Sequence, residues 1–80
     1  MFYYLNGILA HREPGFAVID CGGVGYRLTV SQNTLAALDR ASVREGKVKL
    51  FTYMAVREDD VELFGFYTEE ELSTFRLLIG

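Results

Sequence analysis

The chain has no tryptophan and only one proline, one histidine and one cysteine among its 80 residues, and each shortage removes a class of function. A lone Cys21 can form no internal disulfide and no Cys-based metal site within one chain, which suits a reducing cytoplasm. Ile19 and Asp20 precede it and Gly22-Gly23 follow, so no neighbouring cation activates the thiol and a structural role is expected. The single His11 lies beside Arg12 ahead of Pro14-Gly15 and reads as a solvated loop residue. With no second His, no nucleophile paired to a base and no carboxylates facing one another across a cleft, no catalytic centre is expected. Gly22-Gly23-Val24-Gly25 is not followed by a helix or by Gly-Lys-Ser/Thr, so it is not read as a phosphate loop, and the Asp-x-Asp-x-Asp-Gly pattern of a calcium loop is missing. No cofactor and no metal are expected. No apolar run is long enough to cross a membrane, and the apolar start is interrupted by Asn6, Gly7 and His11 with no basic segment before it, so neither a signal peptide nor a membrane partner is expected.

What is present is apolar and aromatic. Half the residues are hydrophobic, with five Tyr and six Phe, which argues against disorder and for one small β-rich domain. The formal charge of −3 is unusual for a nucleic-acid binder, but its distribution matters more than its sum. Seven of the eleven acids fall in residues 58–71 with no Lys or Arg among them, whereas seven of the eight basic residues lie in 12–57. Net charge alone is therefore a poor guide to partners.

Period-two alternation places the strands. Residues 2–10 form a loose first strand, 11–15 a turn marked by Pro-Gly, and 16–21 a second strand. Gly22-Gly23 then turns the chain into a third strand, in which Val24, Tyr26, Leu28 and Val30 share a face. Ser31-Gln32-Asn33-Thr34 supplies cap residues for a helix through Leu35-Ala36-Ala37-Leu38 that is expected to run about two turns, with 39–46 as a polar connection. Residues 48–56 and 61–67 alternate again as a hairpin. Thr68-Glu69-Glu70-Glu71 reads as a capping box opening a last helix, where acids also suit the positive helix start, and Leu72, Phe75, Leu78 and Ile79 recur at helical spacing to pack on the sheet. The fold expected is mostly β: a five-stranded OB-type, partly open Greek-key barrel over 1–67, with a short helix after strand 3 and a C-terminal helix over 68–80. A β-sandwich or an SH3-like barrel fits the same pattern less closely.

Between the last two strands stands Val56-Arg57-Glu58-Asp59-Asp60-Val61, with three consecutive acids at the hairpin tip. Unpaired carboxylates resist leaving water, so the tip must project into solvent. Two readings stand beside each other. One is a solvated turn nucleated by Asp side chains, and the other is a negatively charged projection with a function of its own.

Gly7, Gly23-Val24-Gly25-Tyr26 and, above all, Val56-Arg57-Glu58-Asp59 followed by Leu63-Phe64-Gly65-Phe66 resemble, in order and spacing, the N-terminal domain of the RuvA family of bacterial Holliday-junction-binding proteins. The resemblance covers essentially the whole chain. It implies an OB-fold that continues, in the family, into a helix-hairpin-helix domain opened by Gly-Val-Gly-Pro-Lys and then into a small mobile domain that contacts the RuvB ATPase motor, so the chain reads as one domain of a longer protein. It implies a homotetramer, or an octamer on DNA, that holds Holliday junction DNA open on a concave face. It also implies work in recombination, repair and the SOS response in the bacterial cytoplasm at the nucleoid, alongside RuvB and a RuvC-type resolvase.

By matching motifs, Glu58 and Asp59 are the family's acidic pin, with Arg57 and Asp60 as possible support or extension. Four copies of the pair would gather about eight carboxylates at the crossover, where like-charged phosphates are also dense. Such repulsion disfavours a plain duplex across the centre and helps strands part, exchanging affinity for selectivity. Arg57 reads equally as a phosphate contact or as an ion-pair partner of Glu58 or a neighbour. Arg27, Lys47 and Lys49 are candidate DNA-backbone contacts, with ordinary solubilising charge as the plainer reading. Nothing offers a recognition helix, so binding is expected to follow shape rather than base sequence. Two other classes remain in view: a structural oligomerisation domain, and a general single-strand-binding module stacking bases on Tyr3, Tyr53 or Phe64.

Overall fold

Alternating apolar residues build β1 (Tyr4–Glu13), β2 (Phe16–Cys21), β3 (Val24–Thr29), β4 (Val48–Val56) and β5 (Val61–Phe66), with α1 (Gln32–Glu45) between β3 and β4 and α2 (Glu69–Ile79) after β5. The structure, a computed structural model, describes residues 3–79. The expected strand start at Phe2 and the final Gly80 lie outside these described residues.

The strands close into a barrel in the order β1-β2-β3-β5-β4. This is the expected five-stranded barrel, closed rather than partly open. Its closing seam is parallel, because β3 meets β5 through the pair Thr29↔Phe64. β1 serves two neighbours, pairing with β4 from Tyr4↔Phe51 to Gly7↔Val48 and with β2 from Ile8↔Asp20 to Glu13↔Phe16. The register shifts between Leu9 and His11, so Ala10 is the extra residue of a bulge that helps the strand curve from one neighbour to the other. Gly7 sits where β1 changes partner. A Cβ there would lie 2.3 Å from the Asp20 carbonyl oxygen, so the close approach of β1 to the end of β2 depends on glycine.

Residues 11–13 were expected in a turn, but they belong to β1: Arg12↔Ala17 and Glu13↔Phe16 continue the ladder, and only Pro14-Gly15 turns. The ladder satisfies their backbone groups while His11, Arg12 and Glu13 keep their side chains in water, so polar composition hid the strand. His11 is thus an exposed strand residue, with Nε2 2.8 Å from Glu13 Oε2.

The inside is sealed by Ile19, Leu28, Leu38 and Leu50. α1 closes one end of the barrel with Leu35, Leu38 and Ala41. At 14 residues it is far longer than the two turns expected. Its polar second half continues the apolar stripe through Ala41, and an Arg12–Asp39 ion pair at 3.1 Å ties it to β1. Ser31 caps its start by accepting from the Thr34 N–H, and Gly46, at φ 79°, ends it in the left-handed conformation.

α2 begins with the expected reciprocal box: Thr68 Oγ1 accepts from the Glu71 N–H at 3.2 Å, and Glu71 Oε1 accepts from the Thr68 N–H at 3.3 Å. Leu72 is buried, and the Phe75 ring packs on Tyr53, Phe64 and Phe66 of the β4–β5 pair at centroid distances of 5.5, 5.1 and 5.0 Å. The expectation that Leu78 and Ile79 also pack on the sheet does not hold. They are 80% and 50% exposed, because among the described residues no strand or helix covers the last turn of α2.

Candidate nucleic-acid interface

β4 and β5 stay paired up to Val56↔Val61, which carries residues 57–60 out beyond the barrel as a short loop. The loop is closed by a hydrogen bond from the Arg57 N–H to the Asp60 carbonyl oxygen at 2.7 Å. All four of its residues are exposed.

The acids of the tip divide into two kinds. Asp60 is paired, with its Oδ2 3.6 Å from an Arg57 guanidinium nitrogen. The other terminal nitrogen of Arg57 lies 3.2 Å from Glu62 Oε1. Glu62 in turn accepts from the Thr29 hydroxyl at 2.8 Å across the β3–β5 seam. Glu58 and Asp59, at the apex, have no hydrogen bond or ion pair among the described residues. Arg57 therefore pairs with Asp60 and Glu62, and not with Glu58.

The candidate backbone contacts are not one patch. Lys47 and Lys49 share an exposed stretch at the start of β4 and border a small cleft of about 240 Å³ with Glu45, Phe51 and Tyr67. Lys49 Nζ lies 4.2 Å from the Tyr4 ring centroid and 5.2 Å from that of Phe51. Arg27 is on β3, its guanidinium carbon 4.2 Å from the Phe16 centroid. Arg27 and Lys49 stand on different strands, with β5 between β3 and β4 on one side of the barrel and β1 and β2 between them on the other. Seven residues of strand also separate Lys49 from the end of β4, about 23 Å at strand rise. Arg27 and Lys49 are held over aromatic faces, a setting that orients a cation while leaving it in water.

Of the three rings considered as stacking platforms, Tyr53 and Phe64 face Phe75, and Tyr3 is half exposed, edge-on to Tyr4 and Phe51. The Tyr3 hydroxyl donates to Glu69, and that bond to a carboxylate raises its pKa above the ordinary tyrosine value. A larger groove of about 760 Å³ runs between α2 and the seam, lined by Thr34, Phe64, Phe66, Phe75 and Leu78. Glu70 and Glu71 on its rim make it a poor seat for phosphate. Among the described residues no three His, Cys, Asp or Glu side chains form a metal-binding group, and no helix is long and apolar enough to cross a membrane.

Sequence reasoning missed Glu62 and Thr29. One signal was present: Glu62 shares its strand phase with Phe64 and Phe66, where a charged side chain needs a partner. The identity of that partner depended on the parallel seam, which no local pattern announces.

A small closed barrel of this strand order, with a helix bridging β3 and β4, is an OB-type barrel. On it, one hairpin carries an unpaired acidic apex. The chain belongs to the RuvA N-terminal domain family, whose sequence model matches residues 1–65. It is 40% identical over 80 residues to the Holliday junction branch migration complex subunit RuvA of Acetivibrio thermocellus. It is 44% identical over 81 residues to the subunit of the same name from Desulforamulus reducens, and 42% identical over 80 residues to that of Bacteroides fragilis. In each case the match takes in the whole of this chain and 38% of the relative's length.

Proposed function

We propose that this chain is the junction-contacting domain of a non-catalytic Holliday-junction-recognition subunit, with Glu58 and Asp59 as a repulsive pin at the crossover. One observation carries the reading: the two apical carboxylates project into solvent with no partner, although a turn of this kind has no need of them. Free carboxylates on a rigid hairpin repel phosphate at close range. Duplex DNA, which would lay a continuous backbone across the tip, is penalised more than an open junction whose strands diverge around it.

The same reading assigns the family's architecture to the full-length protein. Four copies form a homotetramer, further domains grip the DNA backbone, and the RuvB ATPase motor drives branch migration in bacterial recombination and repair. Hydrolysis of ATP belongs to that motor. Lys47 and Lys49, at the far end of β4 from the tip, contribute at most peripheral phosphate contacts, and Arg27 lies apart from them on β3, held over the Phe16 ring. The single-strand alternative has less support, because two of its three candidate stacking rings are packed against Phe75.

The test is competition between a labelled four-way junction and a matched linear duplex at one fixed salt concentration, for the full-length protein and its Glu58→Lys/Asp59→Lys variant. The variant is expected to gain duplex affinity by tenfold or more, on the order of the effect of close charge pairs across interfaces, and to lose its preference for the junction. Equal preference in both proteins would leave the hairpin as a turn and move the domain's role towards assembly.

A further inference from the structure

The apex is unpaired even though a cation stands next to it in sequence. Arg57 directly precedes Glu58, and a guanidinium on a flexible stem can reach an adjacent carboxylate. It is instead engaged on the other side, 3.6 Å from Asp60 and 3.2 Å from Glu62. Glu62 can hold it there because its second oxygen is fixed by the Thr29 hydroxyl at 2.8 Å, and Thr29 belongs to the strand that closes the barrel against β5. Glu62 is also the less exposed partner, with about a third of its side chain accessible against about half for Arg57. A carboxylate with one oxygen bonded to the barrel wall is a fixed post, whereas Asp60 moves with the loop.

We propose that Glu62 is the positioning residue of the acidic tip: anchored by Thr29, it draws the Arg57 guanidinium down onto the barrel wall so that Glu58 and Asp59 present uncompensated charge to DNA. The functional half of this inference rests on the pin reading above. Its structural half does not. Arg57 is thus neither a phosphate contact nor a neutraliser of the apex while Glu62 is in place. The arrangement explains why a basic residue can sit beside a repulsive device without cancelling it.

The informative variant is Thr29→Val, which removes the anchoring hydroxyl, preserves shape and leaves every charge in the protein unchanged. Two readouts are taken on the full-length protein. The first is the NMR signal of the Arg57 guanidinium, which in the parent is expected to show resolved, slowly rotating N–H groups and in Thr29→Val to collapse to the averaged signal of a free side chain. The second is the ratio of junction to duplex affinity, expected to fall about threefold, the scale of exposed ion pairs. Glu62→Gln should lower the ratio too, and in an Arg57→Gln background its effect should shrink towards none, since it acts through Arg57.

An unchanged Arg57 signal in Thr29→Val, with the fold intact by thermal unfolding, would overturn the inference. So would a Glu62→Gln effect of equal size with and without Arg57, which would make Glu62 simply one more repulsive charge. If the Arg57 signal collapses while neither Thr29→Val nor Glu58→Lys/Asp59→Lys changes DNA preference, the clamp stands and the pin reading is what fails.

Discussion

Two hairpins of this barrel use acidic residues at their turns in opposite ways. In the β2–β3 hairpin, Asp20 accepts from the Gly23 N–H at 2.8 Å, and Gly22 and Gly23 take positive φ angles of 63° and 96°. Asp20 is there a part of the turn, satisfying a backbone donor that the reversal leaves exposed. In the β4–β5 hairpin the loop has no glycine and no residue at positive φ, its backbone is closed by Arg57 and Asp60, and Glu58 and Asp59 bond to nothing among the described residues. A turn that needs its acid shows the bond that acid makes. The apex of the second hairpin lacks such a bond, so turn chemistry does not account for its carboxylates.

Substitutions that crowd the barrel strands against which the two hairpins pack should be far more costly than those at the acidic tip. The largest loss is expected from Gly7→Ala. Its Cβ would lie 2.3 Å from the Asp20 carbonyl oxygen, where β1 crosses the turn end of the β2–β3 hairpin and backbone rather than a flexible side chain is in the way. A loss of about 3 kcal/mol in chemical denaturation is expected, with β1 displaced from β2.

Gly65→Ala tests the stem of the second hairpin. There the added methyl would meet the Leu50 side chain at 2.9 Å and those of Leu28 and Val30 at 3.1 Å. These are side-chain ends that can shift, so a loss of about 1–2 kcal/mol is expected. Equal tolerance at Gly65 and at the tip would mean that the whole hairpin, and not its apex alone, is free of structural constraint.

Gly23→Ala should cost about 1 kcal/mol through its φ of 96° alone, since open space surrounds it. The smallest change is expected from Glu58→Gln/Asp59→Asn: stability within about 0.5 kcal/mol of the parent, or slightly above it once like charges are removed. A clear loss there would show these acids to be turn residues like Asp20.

Most of the barrel was legible because its strands alternate cleanly: the bounds of β2 and the limits of β4 follow from side-chain phase. The exceptions share a cause. Residues 11–13 and the second half of α1 are polar where they face water, and composition masks elements held by ladder or helix hydrogen bonds. Leu78 and Ile79 fit a helical stripe whose sheet ends before it does. At the candidate site the acid run could be read directly, but its division into paired Asp60 and unpaired Glu58 and Asp59 could not. That division depends on Thr29 meeting Glu62 across 33 residues of sequence, through a seam visible only once the barrel has closed.

The most direct test of the account compares the junction-to-duplex affinity ratio of the full-length protein with that of its Glu58→Gln/Asp59→Asn variant at one salt concentration. The account predicts that the ratio falls because duplex affinity rises, with the thermal midpoint unchanged. An unchanged ratio accompanied by a lowered midpoint would contradict it, placing the two carboxylates in the service of the turn.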